Sequence, residues 1–312
     1  VNKPGEIWQK YFSGWKCSLA PELSKSHLNA IVTALATYNG MNTSSLMYLT
    51  MPDGERGTVA AEPAVIDGTL SFLIRKHAQV VKTLAQLKEE GMFSDCEDVS
   101  FNIPGESERK RLLAERGFAK LSEQEVFLLE LKEKGDYAEF LRQAVLAKQN
   151  IIIAGKTGSG KTTLARSLIE TVPITERLGT IEDVHELALP NHPNKFHMLF
   201  GTGPGRLSAS ECLRACMRMS PDRIFLAELR GDEAWEYILG LNTGHPGSIS
   251  TTHANDAKQT FGRIASLIKT SEIGRDLSME TIRAEIHKTL NVVVFMHNRQ
   301  VLQVFFDPIF SR

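Results

Sequence analysis

The sequence predicts an α/β fold, a largely parallel sheet with helices on both faces, preceded by a smaller α+β module. Three observations carry this. From residue 151 onward, short apolar runs alternate with stretches at helical spacing. The first of those runs, in "IIIAGKTGSGKTT" at 151–163, stops in a glycine-studded loop and resumes as a helix. The first ~90 residues have another texture, with short strands cut by Gly, Pro and Asp turns.

Taken in order, "PGEIWQKYF", "SSLMYLTMPDGERGTVAAEP" and "GTLSFLIRKH" read as strands, with helices over "LSKSHLNAIVTALATYNG" and "VVKTLAQLKEEG". These form an N-terminal α+β domain over residues 1–91. Residues 92–134 are polar and charge-dense, a linker partly in helix. The region of alternating strand and helix then runs over 135–312, opening with helical patterns either side of Gly135. After the isoleucine strand come "RLGTIED", "SASECLRACMRM", "DRIFLAEL", "DEAWEYILGL", "GSISTTH", "DAKQTFGRIASLI", "SMETIRAEIHKTL", "NVVVFMH" and "VLQVFFD", strand and helix in turn. "SASE" at 208–211 matches a capping box. No internal repeat is evident.

Within "GKTGSGKTT", Gly155, Lys156, Thr157, Gly158, Ser159, Gly160, Lys161, Thr162 and Thr163 follow the spacing of a phosphate-binding loop. Glycines there let successive N–H groups turn inward around a polyphosphate, and the helix that follows presents its positive end. Lys161 adds an ammonium, and Thr162 a hydroxyl suited to Mg²⁺. The chain is therefore expected to bind a nucleoside triphosphate. Glu228 ends the strand "RIFLAE", where a carboxylate can hold the magnesium hydration shell or polarise the attacking water. A helix-capping acid would also stand there. Glu182 and Asp183 follow a second strand, although Glu182 alone would read as an ordinary turn acid. His245 and His253 bracket "SISTT", whose hydroxyl content is odd for a buried strand unless it faces a polar ligand. An imidazole at that strand's end can sense a terminal phosphate, although satisfaction by local backbone is the alternative. No HExxH occurs, and His185, His192 and His197 are too loosely spaced to argue for zinc.

Composition narrows the class. The 312 residues carry a net charge of −1 with 23% charged residues and no long basic run, which gives no support to a nucleic-acid wrapper. The four cysteines show no zinc-ribbon or disulfide spacing, as suits a reducing cytosol, and Cys212 and Cys216 read as buried thiols. No apolar stretch approaches the ~20 residues of a membrane span, and the start is no signal peptide. Any membrane contact is expected to be peripheral or through a partner.

Together these segments resemble the secretion superfamily of hexameric ATPases, and within it the traffic ATPases of type IV secretion systems. The resemblance rests on "GKTGSGKTTLARSL", on "TIEDVHEL" as Asp box, on "LRACMRMSPDRIFLAELRGDEA" as Walker B segment and on "TGHPGSISTTHAN" as His box. "VNKPGEIW", "GER" and "GTLSFLIRKH" look like first-domain segments. It implies a RecA-like P-loop ATPase core with a smaller N-terminal domain, a homohexamer, and ATP with Mg²⁺. By position it makes Glu228 the Walker B carboxylate, Glu182 the Asp-box acid and His253 the His-box sensor. Arg56 and Arg75 fall where the family supplies guanidinium groups to the terminal phosphates, the alternative being surface salt bridges. Partners implied are inner-membrane components and other ATPases of a secretion system. The implied location is cytoplasmic, peripheral on the inner membrane. Direct nucleic-acid binding is not expected, although a translocase or helicase-like motor on the same core is the alternative reading. A GTPase switch is disfavoured: no DxxG occurs, and "NKFH" lacks the aspartate of a guanine reader. Lys156 and Ala227 depart from the family's usual residues, the amino terminus reads as trimmed, and the long 92–134 segment leaves room for domain exchange between neighbours.

Overall fold

The computed structural model describes residues 1–11, 14–76, 81–115, 120–201 and 205–311. The chain divides into two compact units, one of Val1–Gln79 with Val184–Glu186, the other of Val80–Asp183 with Leu187–Arg312. The expected "PGEIWQKYF" and "GTLSFLIRKH" strands each run by one residue, Phe12 and His77, outside the described residues.

The smaller unit holds β1 (Glu6–Tyr11), β2 (Gly14–Leu19), α1 (Lys25–Tyr38), β3 (Leu46–Thr50), β4 (Arg56–Ala60) and β5 (Ser71–Arg75). β1 and β2 form an antiparallel ribbon, and β3-β4-β5 an antiparallel sheet. Ser24 caps α1 by accepting the His27 N–H, and Leu28, Val32 and Ala36 then recur at one turn's spacing. That stripe packs with Met47, Leu49, Val59 and Phe72, the inward positions of the three strands. Arg56 and Arg75 stand directly opposite each other on β4 and β5. Like charges in register destabilise a sheet.

The larger unit opens with α2 (Leu84–Glu89), β6 (Glu97–Asp98), α3 (Glu106–Ala114), α4 (Glu123–Glu133) and α5 (Tyr137–Leu146). It continues through β7 (Ile151–Gly155), α6 (Lys161–Ile169), β8 (Leu178–Glu182), β9 (Lys195–Leu199), α7 (Ala209–Arg218) and β10 (Arg223–Leu226). α8 (Glu233–Asn242), β11 (Ile249–Thr252), α9 (Ala257–Thr270), α10 (Met279–Thr289), β12 (Val292–His297) and β13 (Gln300–Phe306) complete it. The expected capping box opens α7: the Ser208 hydroxyl accepts the Glu211 N–H while the Glu211 carboxylate accepts the Ser208 N–H.

Eight of these strands form one sheet in the order β6-β13-β12-β7-β11-β10-β8-β9, parallel except for the β12–β13 hairpin. β7 lies inside it, buried along its length between β12 and β11. Its residues alternate between two cores: Ile151 and Ile153 face the one with Leu164, Leu168 and Phe140, and Ile152 and Ala154 the one with Ile224, Phe261 and Ile264. Burial on both faces is what makes a parallel strand read as a continuous apolar run.

The charge-dense segment before α5 is held to this sheet. β6 pairs with β13, and the buried Lys132 ammonium donates to Ser100 Oγ and Phe306 O, both at 2.7 Å, and meets Asp98 Oδ2 at 2.9 Å. Burial lowers the Lys132 pKa, opposed by the charge of Asp98. Residues 116–119 of the segment lie outside the described residues. Cys212 and Cys216 are buried thiols, and burial pushes Cys216 up to about 12. Among the described residues no helix is long and apolar enough to cross a membrane.

Candidate functional site

Because β7 is parallel to both neighbours, its carboxyl end opens at one edge of the sheet, where open α/β folds place ligands. Gly155 ends the strand at φ 151°, and Gly160 caps α6 at φ 97° with no side chain satisfying the first N–H groups of the helix. Those uncapped groups, with the helix dipole, form an anion site. The loop is braced from below, where the Arg299 N–H donates to the Ser159 carbonyl at 3.1 Å. Lys161 is buried, its ammonium on the carbonyls of Gly155 (2.7 Å) and Lys156 (3.1 Å). Lys156, Thr157 and Gly158 are exposed, Thr162 is half-buried and Thr163 exposed. The Ser159 hydroxyl is buried with no hydrogen-bond partner among the described residues, a group that a phosphate oxygen would satisfy. These features fit a polyphosphate, and Thr162, the residue after Lys161, is one that could hold a magnesium ion.

Space at Gly155 is as restrictive as its backbone. A Cβ there would lie 2.3 Å from the Met296 carbonyl oxygen and 2.7 Å from Ser159 Oγ. Gly155→Ala is therefore expected to lower the melting temperature and weaken nucleotide binding together, with a strain of roughly 1–3 kcal/mol. Parallel melting and titration of the variant check this, and unchanged values in both would remove the close packing as the reason for a glycine.

The acids stand at the same edge. Glu182 ends β8 fully buried, its Oε1 accepting the Leu187 N–H at 2.8 Å and its Oε2 the Thr180 hydroxyl at 3.1 Å. Thr180 Oγ1 is also 2.7 Å from His197 Nδ1, a link that the sequence reading missed. Glu228 lies two residues beyond β10 in backbone still locked on both sides, by Ala227 N–H on Ile181 O and Leu229 N–H on Thr251 O. His253 follows β11, whose Thr252 is in register with Ala154, so the imidazole belongs to the edge that carries the loop. Its Nε2 is 2.7 Å from Glu228 Oε1, an approach not aligned for a ring N–H hydrogen bond.

One expectation is corrected, and for one residue the alternative holds. The hydroxyls of "SISTT" mostly do not face a ligand: Ser248 donates to Ile224 O, Thr251 to Ala227 O and Thr252 to Leu229 O. A hydroxyl in a buried strand is satisfied most cheaply by a neighbouring carbonyl. His245 lies before β11, at the opposite edge from the loop, with Nδ1 3.0 Å from Pro221 O. It is the local-backbone histidine of the two.

The structure adds Arg230, which the sequence reading passed over. Its Nη2 donates to Glu228 Oε2 at 2.7 Å and its Nη1 to Asp183 Oδ2 at 2.8 Å. Burial lowers its pKa, but both carboxylates more than offset this and the net shift is upward. The one available signal was a basic residue two positions after the strand-end acid. Arg56 is placed within the smaller unit, Nη2 3.5 Å from Glu186 Oε1, and Arg75 is exposed.

Comparison with known proteins is consistent over the whole chain. The type II/IV secretion system protein family matches residues 111–300. The chain is 37% identical to the type IV secretion system protein VirB11 of Brucella suis, covering 99% of this chain and 84% of that one. It is also 37% identical to VirB11 of Bartonella quintana, over 100% of this chain and 88% of the relative. Among solved structures, the VirB11 ATPase from the Brucella suis type IV secretion system, in complex with sulphate, aligns at a TM-score of 0.59 and 36% identity. That match covers 100% of this chain and 92% of the other. The pilus retraction motor PilT with bound ADP shares the fold at a TM-score of 0.57 and 18% identity, over 95% and 72%.

Proposed function

The chain belongs to the type II/IV secretion system protein family and is an ATPase of type IV secretion with a RecA-like core, and from that premise we propose how it works. It binds ATP at the loop of residues 155–163 and hydrolyses it as a ring of six, driving a secretion system from the cytoplasmic face of the inner membrane. The smaller unit acts as the N-terminal domain and the larger as the motor core; α2 and the 92–134 segment, expected as the end of the first domain and a linker, pack on that core through Leu84, Leu87 and the β6–β13 pairing. Secretion-channel components and companion ATPases are its partners. The nucleic-acid translocase reading is not favoured, since the family is one of secretion ATPases.

One observation carries the proposal: a buried strand ends in a loop whose following helix start is uncapped, with Lys161 inside it and two acid-bearing strands ending at the same edge. Loop amides and Lys161 hold the phosphates. Mg²⁺, held at Thr162, would neutralise charge on them. Glu228 takes the proton of the attacking water, His253 beside it responds to the terminal phosphate, and Glu182 is a fixed acid anchored by Leu187 and Thr180. Loss of that phosphate reopens the site, and ring motion follows.

Arg56 and Arg75 are assigned to the terminal phosphates, where a guanidinium fork grips bidentately. Arg56→Ala and Arg75→Ala are each expected to slow turnover roughly 10³-fold, the lower end of what an arginine finger supplies. Phosphate release by the variants, with particle mass measured beside it, tests this. Parent-rate turnover would return both to salt bridges, and a particle that stays monomeric with nucleotide would remove the ring.

A further inference from the structure

Glu228 and Asp183 leave adjacent parallel strands, β10 and β8, and a single guanidinium joins them. Arg230 is fixed at its other end too. Its own N–H and that of Gly231 donate to Glu233 Oε1, at 2.6 and 3.0 Å, where Glu233 opens α8. Stability is a weak reason for such an arrangement, because the Arg230 side chain is 48% exposed and solvent-screened ion pairs contribute little. Orientation is a better one. A carboxylate rotates freely about its last bond unless one oxygen is held, and here Oε2 is held by Arg230. Oε1 is thereby turned toward His253 Nε2, 2.7 Å away.

We propose that Arg230 is a positioning residue for hydrolysis, clamping Glu228 to Asp183 so that the other carboxylate oxygen, Oε1, is presented to the reaction in one orientation. This rests on the reading of Glu228 as the group that takes the water's proton. Misplacement of a reacting group by about 1 Å costs on the order of 10² in rate, so the clamp acts on turnover and not on affinity. Lysine, a single point charge, reaches one carboxylate but cannot fork between two.

The test uses the full chain with Arg230→Ala, Arg230→Lys, Asp183→Asn, the Arg230→Ala/Asp183→Asn pair and Glu228→Gln, each followed by kcat, KM for ATP and melting. Arg230→Ala is expected to lose about 10² in kcat with KM and melting close to the parent, and Arg230→Lys to recover part of that loss. The double variant is expected to be no slower than Arg230→Ala, because both changes break one unit. Parent kcat in Arg230→Ala, or a loss confined to KM or melting, overturns the clamp. Fully additive losses in the double variant also overturn it. If Glu228→Gln stalls while Arg230→Ala does not, only this inference fails. If Glu228→Gln itself turns over at the parent rate, the assignment of Glu228 fails first.

Discussion

Lys161→Ala is expected to abolish ATP turnover, by at least about 10²- to 10³-fold on the scale of losing one preorganised charge donor, while leaving the protein folded. Both halves follow from position. The ammonium is buried inside the loop, on the carbonyls of Gly155 and Lys156, so no neighbouring cation can slide into its place without rebuilding the loop. Stability is spared for a separate reason. Lys161 is the first residue of α6, where a positive charge opposes the helix dipole and alanine has the best helix propensity. Malachite-green phosphate release with circular dichroism beside it checks the pair of statements. Retained turnover would take the loop out of the mechanism.

Glu228→Gln carries the second large effect, a fall of about 10²- to 10⁴-fold in cleavage, the range of general-base catalysis, with ATP still held. Glutamine keeps the shape and a carbonyl oxygen for Arg230, so the strand-end turn keeps its geometry. What it loses is the charge and the lone-pair basicity that a water proton needs. Phosphate binding belongs to a different strand, β7, and its loop, so affinity is untouched. Filter retention of labelled ATP beside single-turnover cleavage separates the two: bound and uncleaved nucleotide is expected. Cleavage at the parent rate would exclude Glu228 as the base.

The parallel core was legible because its strands are buried on both faces, so that Ile151–Ile153, Ile224–Leu226 and Val292–Val294 stand out as apolar runs. The loop was legible because its glycines are demanded by backbone geometry. β2, β6 and β9 were not read. β2 is exposed throughout and β9 half-buried throughout, so neither carries an alternation, and β6 has two residues whose only strand signal is their pairing with β13. α2 was read as a helix, but its buried Leu84 and Leu87 join the core of the larger unit, a tertiary choice that no local pattern encodes. In the site, acids at strand ends were legible and the pairing among them was not. Arg230 reaches Asp183 across two strands, and sequence spacing says nothing of which strand ends are neighbours. The same limit misassigned the hydroxyls of β11, whose satisfaction by the carbonyls of Ala227 and Leu229, just beyond β10, depends on strand order.

Every proposed step begins with main-chain amides at the end of β7 gripping a triphosphate. Calorimetric titration of the folded chain with Mg²⁺ and a non-hydrolysable ATP analogue tests this most directly, with Lys161→Ala as the comparison. Saturable heat at one nucleotide per chain, absent from the variant, is the predicted result. No heat from the parent, or equal heat from both, would contradict it.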